Sequence, residues 1–267
     1  MTRPFPAAAA LLLLTSVFLA SAARAQQLRV VGAANAGCID GAEELPMRGE
    51  GFVALHRQEG QFWGHPEAIA GIETLAREAS QAGLGEIYVG DISPRHGGPQ
   101  PGAHASHQRG IDVDIWLAAG PRARLSDAAT ATTTPPSVVR ADGLDVDPTR
   151  FTPAIERLIR LATGLPLVDR VLVNPAIKAH LCRIAGTDRG WLHRLRPWWG
   201  HAAHMHVSFH CPADQPGCVQ MPPPPPGDGC DATLDWWFSA EARTPKPARP
   251  AAPPKLPAFC RALLARP

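Results

Sequence analysis

Six cysteines behind an export leader constrain what this chain can fold into more than any other feature. The first 25 residues, MTRPFPAAAALLLLTSVFLASAARA, place an early arginine before an apolar run from Ala7 to Ala20 and end in Ala23-Arg24-Ala25. That is the pattern of a secretory signal cleaved after Ala25. The run is too short and too alanine-rich to span a bilayer, and no later stretch approaches roughly 20 apolar residues, so the mature protein is expected to be exported and to lack a membrane anchor. Cys38, Cys182, Cys211, Cys218, Cys230 and Cys260 all follow the leader. An even set in an oxidising compartment predicts three disulfides. A structural zinc cluster would need cysteines about two to four residues apart, and the closest pair here is Cys211 and Cys218. Sequence alone leaves the pairing open.

Of the 26 basic residues, Arg3 and Arg24 lie in the leader, so 24 basic side chains face 24 acidic ones in the mature chain. A neutral chain with no basic run excludes nucleic acid and an electrostatic membrane anchor as partners. The reading divides the chain into a leader (1–25), one large domain (26–220) and a proline-rich extension (221–267). A helix is predicted after His65-Pro66, where Ile69, Ile72, Leu75 and Ala76 recur at helical spacing up to Gly83. Glu86–Ile92 reads as a short strand, and 93–110 is too rich in Gly, Pro and His for regular structure. Ile111–Leu117 alternates strictly, a strand with Asp112 and Asp114 on one face and Ile111, Val113 and Ile115 on the other. A threonine-rich loop (126–134), a helix from about Thr152, a strand (Arg170–Asn174) and a helix from Pro175 towards Cys182 follow. His204-Met-His-Val-Ser-Phe alternates again, which puts His204 and His206 on one face. After Cys211 the prolines at 222–226 and in 246–257 exclude a sheet interior, and the tail is expected to run extended over the surface with the cysteines as tethers. The fold class predicted is α+β: an antiparallel sheet core carrying the site, flanked by helices, with long loops and the tail held by disulfides.

Two patches, HASHQRGIDVD (His104 to Asp114) and HAAHMH (His201 to His206), concentrate imidazoles and carboxylates on strands. A hydrolytic zinc site takes three ligands from His, Asp and Glu and leaves one position open. His107, seven residues before Asp114, can close with it on one ion, and His206 from the second strand completes the set. His204, two residues before His206 on the same face, then reaches the open position without binding. His65, His96, His180, His193 and His210 are set aside as ordinary hydrogen-bonding histidines.

The phrases GCIDGAEELP (Gly37 to Pro46), FWGHP (Phe62 to Pro66), GAHASHQRGIDVDIW (Gly102 to Trp116), VNPAIK (Val173 to Lys178), CRIAGTDRGWLHRLRPWWGHAAHMHV (Cys182 to Val207) and GDGC (Gly227 to Cys230) resemble the penicillin-insensitive murein endopeptidases. These are zinc peptidases of the wider group that holds lysostaphin-type enzymes, D-Ala-D-Ala metallopeptidases and the hedgehog signalling domain. The resemblance covers nearly the whole mature chain; the HxxxxxxD and HxH pair is shared across the wider group, and the surrounding phrases narrow it to one family. It implies that His107, Asp114 and His206 ligate a catalytic zinc, that His204 is the general base and that His201 orients or stabilises beside it. It also implies a second zinc position at His104, Asp142 and Asp145, and disulfides Cys38–Cys260, Cys182–Cys230 and Cys211–Cys218.

The activity so implied is hydrolysis of peptidoglycan cross-bridges, between D-alanine and meso-diaminopimelate, in the periplasm, with cross-linked peptides as partners and a homodimer as a further expectation. No serine would be acylated, hence the insensitivity to penicillin. Ser106 lacks the Ser-x-x-Lys context, having Arg109 at that place. Two alternatives stand beside this reading: a D,D-carboxypeptidase or dipeptidase on the same zinc site, and a non-catalytic, zinc-dependent peptidoglycan-binding protein.

Overall fold

The computed structural model describes residues 28–100, 105–120, 122–244 and 254–266. The leader 1–25, His104 and 245–253 of the tail lie outside the described residues. In chain order the strands and helices are β1 (Arg29–Ala33), β2 (Ala36–Asp40), β3 (Glu43–Glu44), β4 (Arg48–Gly49), β5 (Phe52–Ala54), β6 (Trp63–Gly64), α1 (Pro66–Gln81), β7 (Ile87–Val89), β8 (Asp112–Trp116), α2 (Asp127–Thr130), α3 (Pro153–Gly164), β9 (Val168–Val173), α4 (Pro175–Ile184), β10 (Leu195–Pro197), β11 (His204–Phe209), α5 (Ala232–Asp235), α6 (Ala240–Arg243) and α7 (Ala258–Leu264). Seven strands form one sheet in the order β10-β9-β11-β8-β7-β5-β4. The four central strands β9, β11, β8 and β7 are antiparallel neighbours.

The sheet as a whole is mixed, which corrects the antiparallel expectation: β5 pairs with β7, and β9 with β10, in parallel. The cause is topological. α1 lies between β5 and β7, and α4 between β9 and β10, and a helical crossover returns the chain in its starting direction. The middle of the sheet, where the site sits, is antiparallel as expected, and so is the edge pair of β4 and β5.

Local chemistry explains where the helices begin. Pro66 occupies the first turn of α1 and the His65 ring accepts from the Glu67 amide at 3.2 Å. Asn174 caps α4 through its side-chain oxygen on the Ala176 amide, 3.0 Å. The apolar stripes Ile69, Ile72 and Leu75 of α1 and Ile155, Leu158 and Ile159 of α3 join Val113 and Ile115 of β8 and Met205 and Val207 of β11 in one buried core. α1 approaches closely enough that a Cβ on Gly71 would lie 2.6 Å from the Phe209 ring. With the odd-numbered residues of β8 and β11 committed to this core, their even-numbered residues face the other way, and that second face carries the site.

The region 126–134, expected as a loop, contains α2, because the Ser126 hydroxyl accepts from the Ala129 amide at 3.2 Å and caps a turn there. The tail also departs from the extended form expected. Asp231 and Ser239 cap α5 and α6, and α7 buries Cys260 and Leu263. Among the described residues the tail contributes no strand to the sheet, and its non-proline stretches carry their own helix-starting residues. Three bridges tie the molecule, Cys38–Cys260, Cys182–Cys230 and Cys211–Cys218, the pairs the resemblance implies. Among the described residues no helix is long and apolar enough to cross a membrane.

Candidate metal centre

Antiparallel register sets the site. His206 faces Asp114, His204 faces Trp116 and Ser208 faces Asp112 across β11 and β8, so these side chains project from one face of the sheet. His107 arrives from the loop before β8 with φ 64, a left-handed conformation that is costly for a histidine and tends to occur where function holds it. Its Nε2 lies 2.9 Å from His206 Nδ1 and 3.3 Å from Asp114 Oδ1, and His206 Nδ1 lies 3.2 Å from the same Oδ1. All three residues are buried.

Their outer hydrogen bonds fix which atoms carry lone pairs. His107 Nδ1 donates to the Ile92 carbonyl at 3.0 Å, which leaves the Nε2 lone pair turned inward. His206 Nε2 donates towards Asp112 Oδ1 at 3.2 Å and lies 3.0 Å from Ser208 Oγ, which turns the Nδ1 lone pair inward. Two imidazole lone pairs and a carboxylate oxygen therefore converge, and what they share is a positive charge, either a proton or a metal ion. The three together form a group that could hold a metal ion. Donors of a tetrahedral zinc, with bonds of about 2.0–2.1 Å, are separated by about 3.3 Å, close to the edges seen here. The Asp112 carboxylate behind His206 is the outer partner that metal-ligating histidines usually have.

Electrostatics agree. Burial opposes a charged His206 ring, yet the hydrogen bonds and charges of Asp112 and Asp114 outweigh it and raise its pKa to about 9. Burial likewise opposes ionisation of Asp112 and Asp114, but the histidines, through charge and hydrogen bonds, hold both below the usual carboxylate range. The pocket favours a cation.

On the open side, His204 Nε2 lies 3.6 Å from Asp114 Oδ2, and His201, His204 and Asp114 form a second group of metal-binding geometry. His201 also has a left-handed backbone, φ 50, and its Nδ1 donates to the Trp199 carbonyl at 2.7 Å. Burial, then the neighbouring His206, lowers its pKa to about 4, so the ring is neutral at pH 7 with Nε2 as acceptor. The sequence reading did not single out His56, Glu59, Asp91 and Trp116, which line a cavity of about 290 Å³ with Asp114 and His204. His56 has no periodic or motif context that would have marked it; Trp116 shares the face of Asp112 and Asp114 by simple alternation.

Of the residues expected at a second metal, Asp142 and Asp145 are described and each meets an arginine. Asp145 accepts from Arg183 at 2.7 Å with both oxygens, Asp142 pairs with Arg140 at 2.6 Å, and His104 lies outside the described residues. Among the described residues Asp142 and Asp145 join no metal-binding group. The histidines set aside have ordinary surroundings: His65 caps α1, His193 Nδ1 donates to Gly227 O at 2.9 Å, and His96, His180 and His210 lie near Asp40, Asp145 and Asp169.

Fold and site together define a mixed α/β protein whose central antiparallel strands present a buried, cation-seeking His–Asp–His cluster with further histidines at its open side. The chain belongs to the penicillin-insensitive murein endopeptidase family, whose model matches residues 30–265. Relatives named penicillin-insensitive murein endopeptidase include one from Yersinia enterocolitica, 42% identical over 236 residues, which are 88% of this chain and 85% of that relative. Those from Salmonella heidelberg and Escherichia coli are each 44% identical over 235 residues, with the same coverage.

Proposed function

We propose that this protein is a zinc-dependent endopeptidase that hydrolyses peptide cross-bridges of peptidoglycan, at the bond between D-alanine and meso-diaminopimelate, in the periplasm after removal of residues 1–25. The carrying observation is the triangle of His107 Nε2, Asp114 Oδ1 and His206 Nδ1, with edges of 2.9–3.3 Å, in a chain of this family. These three would hold one zinc ion. When bound, it would act as a Lewis acid, lowering the pKa of an attacking water from about 15.7 towards about 7 and polarising the scissile carbonyl.

The chain's own residues account for the rest. Asp112 holds the His206 ring in the tautomer that presents Nδ1. His204, beside Asp114 Oδ2 at 3.6 Å, takes the proton of the attacking water on Nε2 and returns it to the departing amine, a role worth about 100- to 10,000-fold. His201, neutral and anchored on the Trp199 carbonyl, accepts a hydrogen bond on Nε2 and orients the reacting groups. Cavities lie on both sides of the cluster, one of about 290 Å³ sharing Asp114 and His204 and one of about 600 Å³ sharing His206 and Asp112. A chain can therefore run past the scissile position, which favours cleavage within a cross-bridge over trimming of a free end. Residues 26–220 form the peptidase domain in this reading, and 221–267 an extension packed on it.

Defined cross-linked muropeptide dimers, incubated with the protein with and without a chelator and followed by mass spectrometry, test the proposal. Conversion of dimers to monomers that stops with chelator is expected. Release of terminal D-alanine alone would make the protein a carboxypeptidase, and intact dimers with zinc-loaded protein would make it a binding protein.

A further inference from the structure

The sheet face that carries the metal cluster continues, away from His204, into the cavity of about 600 Å³. That volume lies within the range of about 300–1,000 Å³ typical of small-ligand sites. His206 and Ser208 of β11 and Leu172 of β9 form its floor; Arg170 and Arg196 lie further along the same face; Trp198 and Trp237 are part of its wall. Register explains this: His206 pairs with Leu172, Ser208 with Arg170, and Arg196 with Leu172, across β11, β9 and β10. The metal cluster and the two arginines thus occupy one continuous strip.

The far wall comes from the tail and is firmly held. Cys230 is bonded to Cys182, the Asp228 carboxylate pairs with Arg189 at 2.6 Å, and the Asp228 carbonyl accepts from the buried Lys178 Nζ at 2.5 Å. Gly229 in that wall is shaped to the arginine, since a Cβ there would lie 2.6 Å from Arg196 Nη1. Nη1 itself is shielded from solvent and has no hydrogen-bond partner, an arrangement that costs free energy. Arg170 differs, with Nε on Asp169 at 2.6 Å and Nη2 on the Pro222 carbonyl. The acidic groups at the cavity are Asp112, engaged by His206 and Ser208, and Asp231, engaged by Thr233. Burial, ahead of the opposing charge of Asp231 and the like charge of Arg170, lowers the pKa of Arg196, so an anion in the cavity would add to what Asp231 supplies there.

We propose that this cavity is the subsite for a carboxylate-bearing arm of the substrate peptide, with the carboxylate at Arg196 and the aliphatic part of the arm against Trp198 and Trp237. The proposal rests on the endopeptidase reading above and adds a specificity determinant to it. A guanidinium prefers a free acid to its neutral amide through charge-assisted hydrogen bonds.

Two cross-linked muropeptide dimers test it, one with free diaminopimelate carboxylates and one with those carboxylates amidated. Wild type should prefer the free acid by roughly tenfold or more in kcat/KM, mainly through KM, the scale of one hydrogen bond to a charged group. Arg196→Gln should bring that ratio to within about threefold of unity with bound zinc unchanged, and Arg196→Lys should restore part of it. Calorimetric titration of the same dimers into metal-free protein reads the preference without cleavage. If wild type binds with the preference but cleaves neither dimer, the endopeptidase reading fails and the subsite stands. If wild type shows no preference, or Arg196→Gln keeps it, the subsite proposal is overturned whatever the cleavage result.

Discussion

Replacing Asp112 by asparagine should weaken metal binding by roughly 10- to 100-fold, the usual effect of losing an outer partner of a metal-ligating histidine, with the fold intact. Asp112 is fully buried; its Oδ1 accepts from His206 Nε2 at 3.2 Å and Ser208 Oγ at 2.7 Å, and its Oδ2 has no hydrogen-bond partner. Asparagine keeps the accepting oxygen and places its amide nitrogen where that Oδ2 stood, so shape and hydrogen bonds survive and the charge is lost. The size of that loss follows from His206. Asp112 and Asp114 raise its pKa to about 9, from an ordinary value near about 6.5, a net preference for positive charge of roughly 3 kcal/mol. If Asp112 supplies about half, its removal costs on the order of 2 kcal/mol, which corresponds to roughly 30-fold in affinity. Competition against a chromogenic chelator measures the affinity. A nuclear magnetic resonance titration of His206 in metal-free protein should show its pKa falling in the variant. An affinity within about threefold of wild type, together with an unmoved His206 titration, would refute the reasoning, because Asp112 would then be only a packing residue.

His206→Ala should lose zinc and activity together, while His204→Ala should keep zinc near wild-type occupancy and lose turnover by roughly 100-fold or more; metal analysis beside dimer cleavage separates them, and the opposite pattern would mean the two roles are reversed. Replacing Cys38 and Cys260 by serine should loosen α7 and β2, which carry the two cysteines, more than the catalytic strands, with a stability loss of up to roughly 5 kcal/mol in the chain-entropy model for a bridge spanning 222 residues; hydrogen exchange locates the loosening, and loss of protection centred on β11 would contradict it. Lys178 is buried and burial lowers its pKa to about 7, below its unfolded value near about 10.4, so the unfolded chain binds more protons between these values and stability should rise with pH across that window. Compared with Lys178→Met in denaturant titrations, wild type should therefore gain up to a few kcal/mol from pH 7 to pH 10; a constant difference between the two proteins would exclude an electrostatic strain at Lys178.

What the sequence could show was whatever depends on period and on residue chemistry. Strict alternation in 111–117 and 204–209 placed Asp112, Asp114, His204 and His206 on single faces, and the register of β8 against β11 made those two faces one. Helical spacing found α1 and α3, where a long apolar stripe repeats. Strands of three residues such as Phe52–Ala54 and Leu195–Pro197 are too short for any period to appear. Because those strands supply the parallel pairs, the sheet's mixed character stayed hidden while its antiparallel centre did not. The tail misled for a related reason: its prolines forbid a sheet, but Asp231 and Ser239 start helices by single capping contacts, a signal that composition averages away. The larger cavity was hidden more deeply still, since its parts, Arg170 on β9, Arg196 on β10 and Trp237 in the tail, are joined by no spacing along the chain. A ligand set can be drawn from two motifs because two strands carry it, whereas a cavity lined from several strands and the tail draws on elements far apart in the chain, and only the folded chain brings those together.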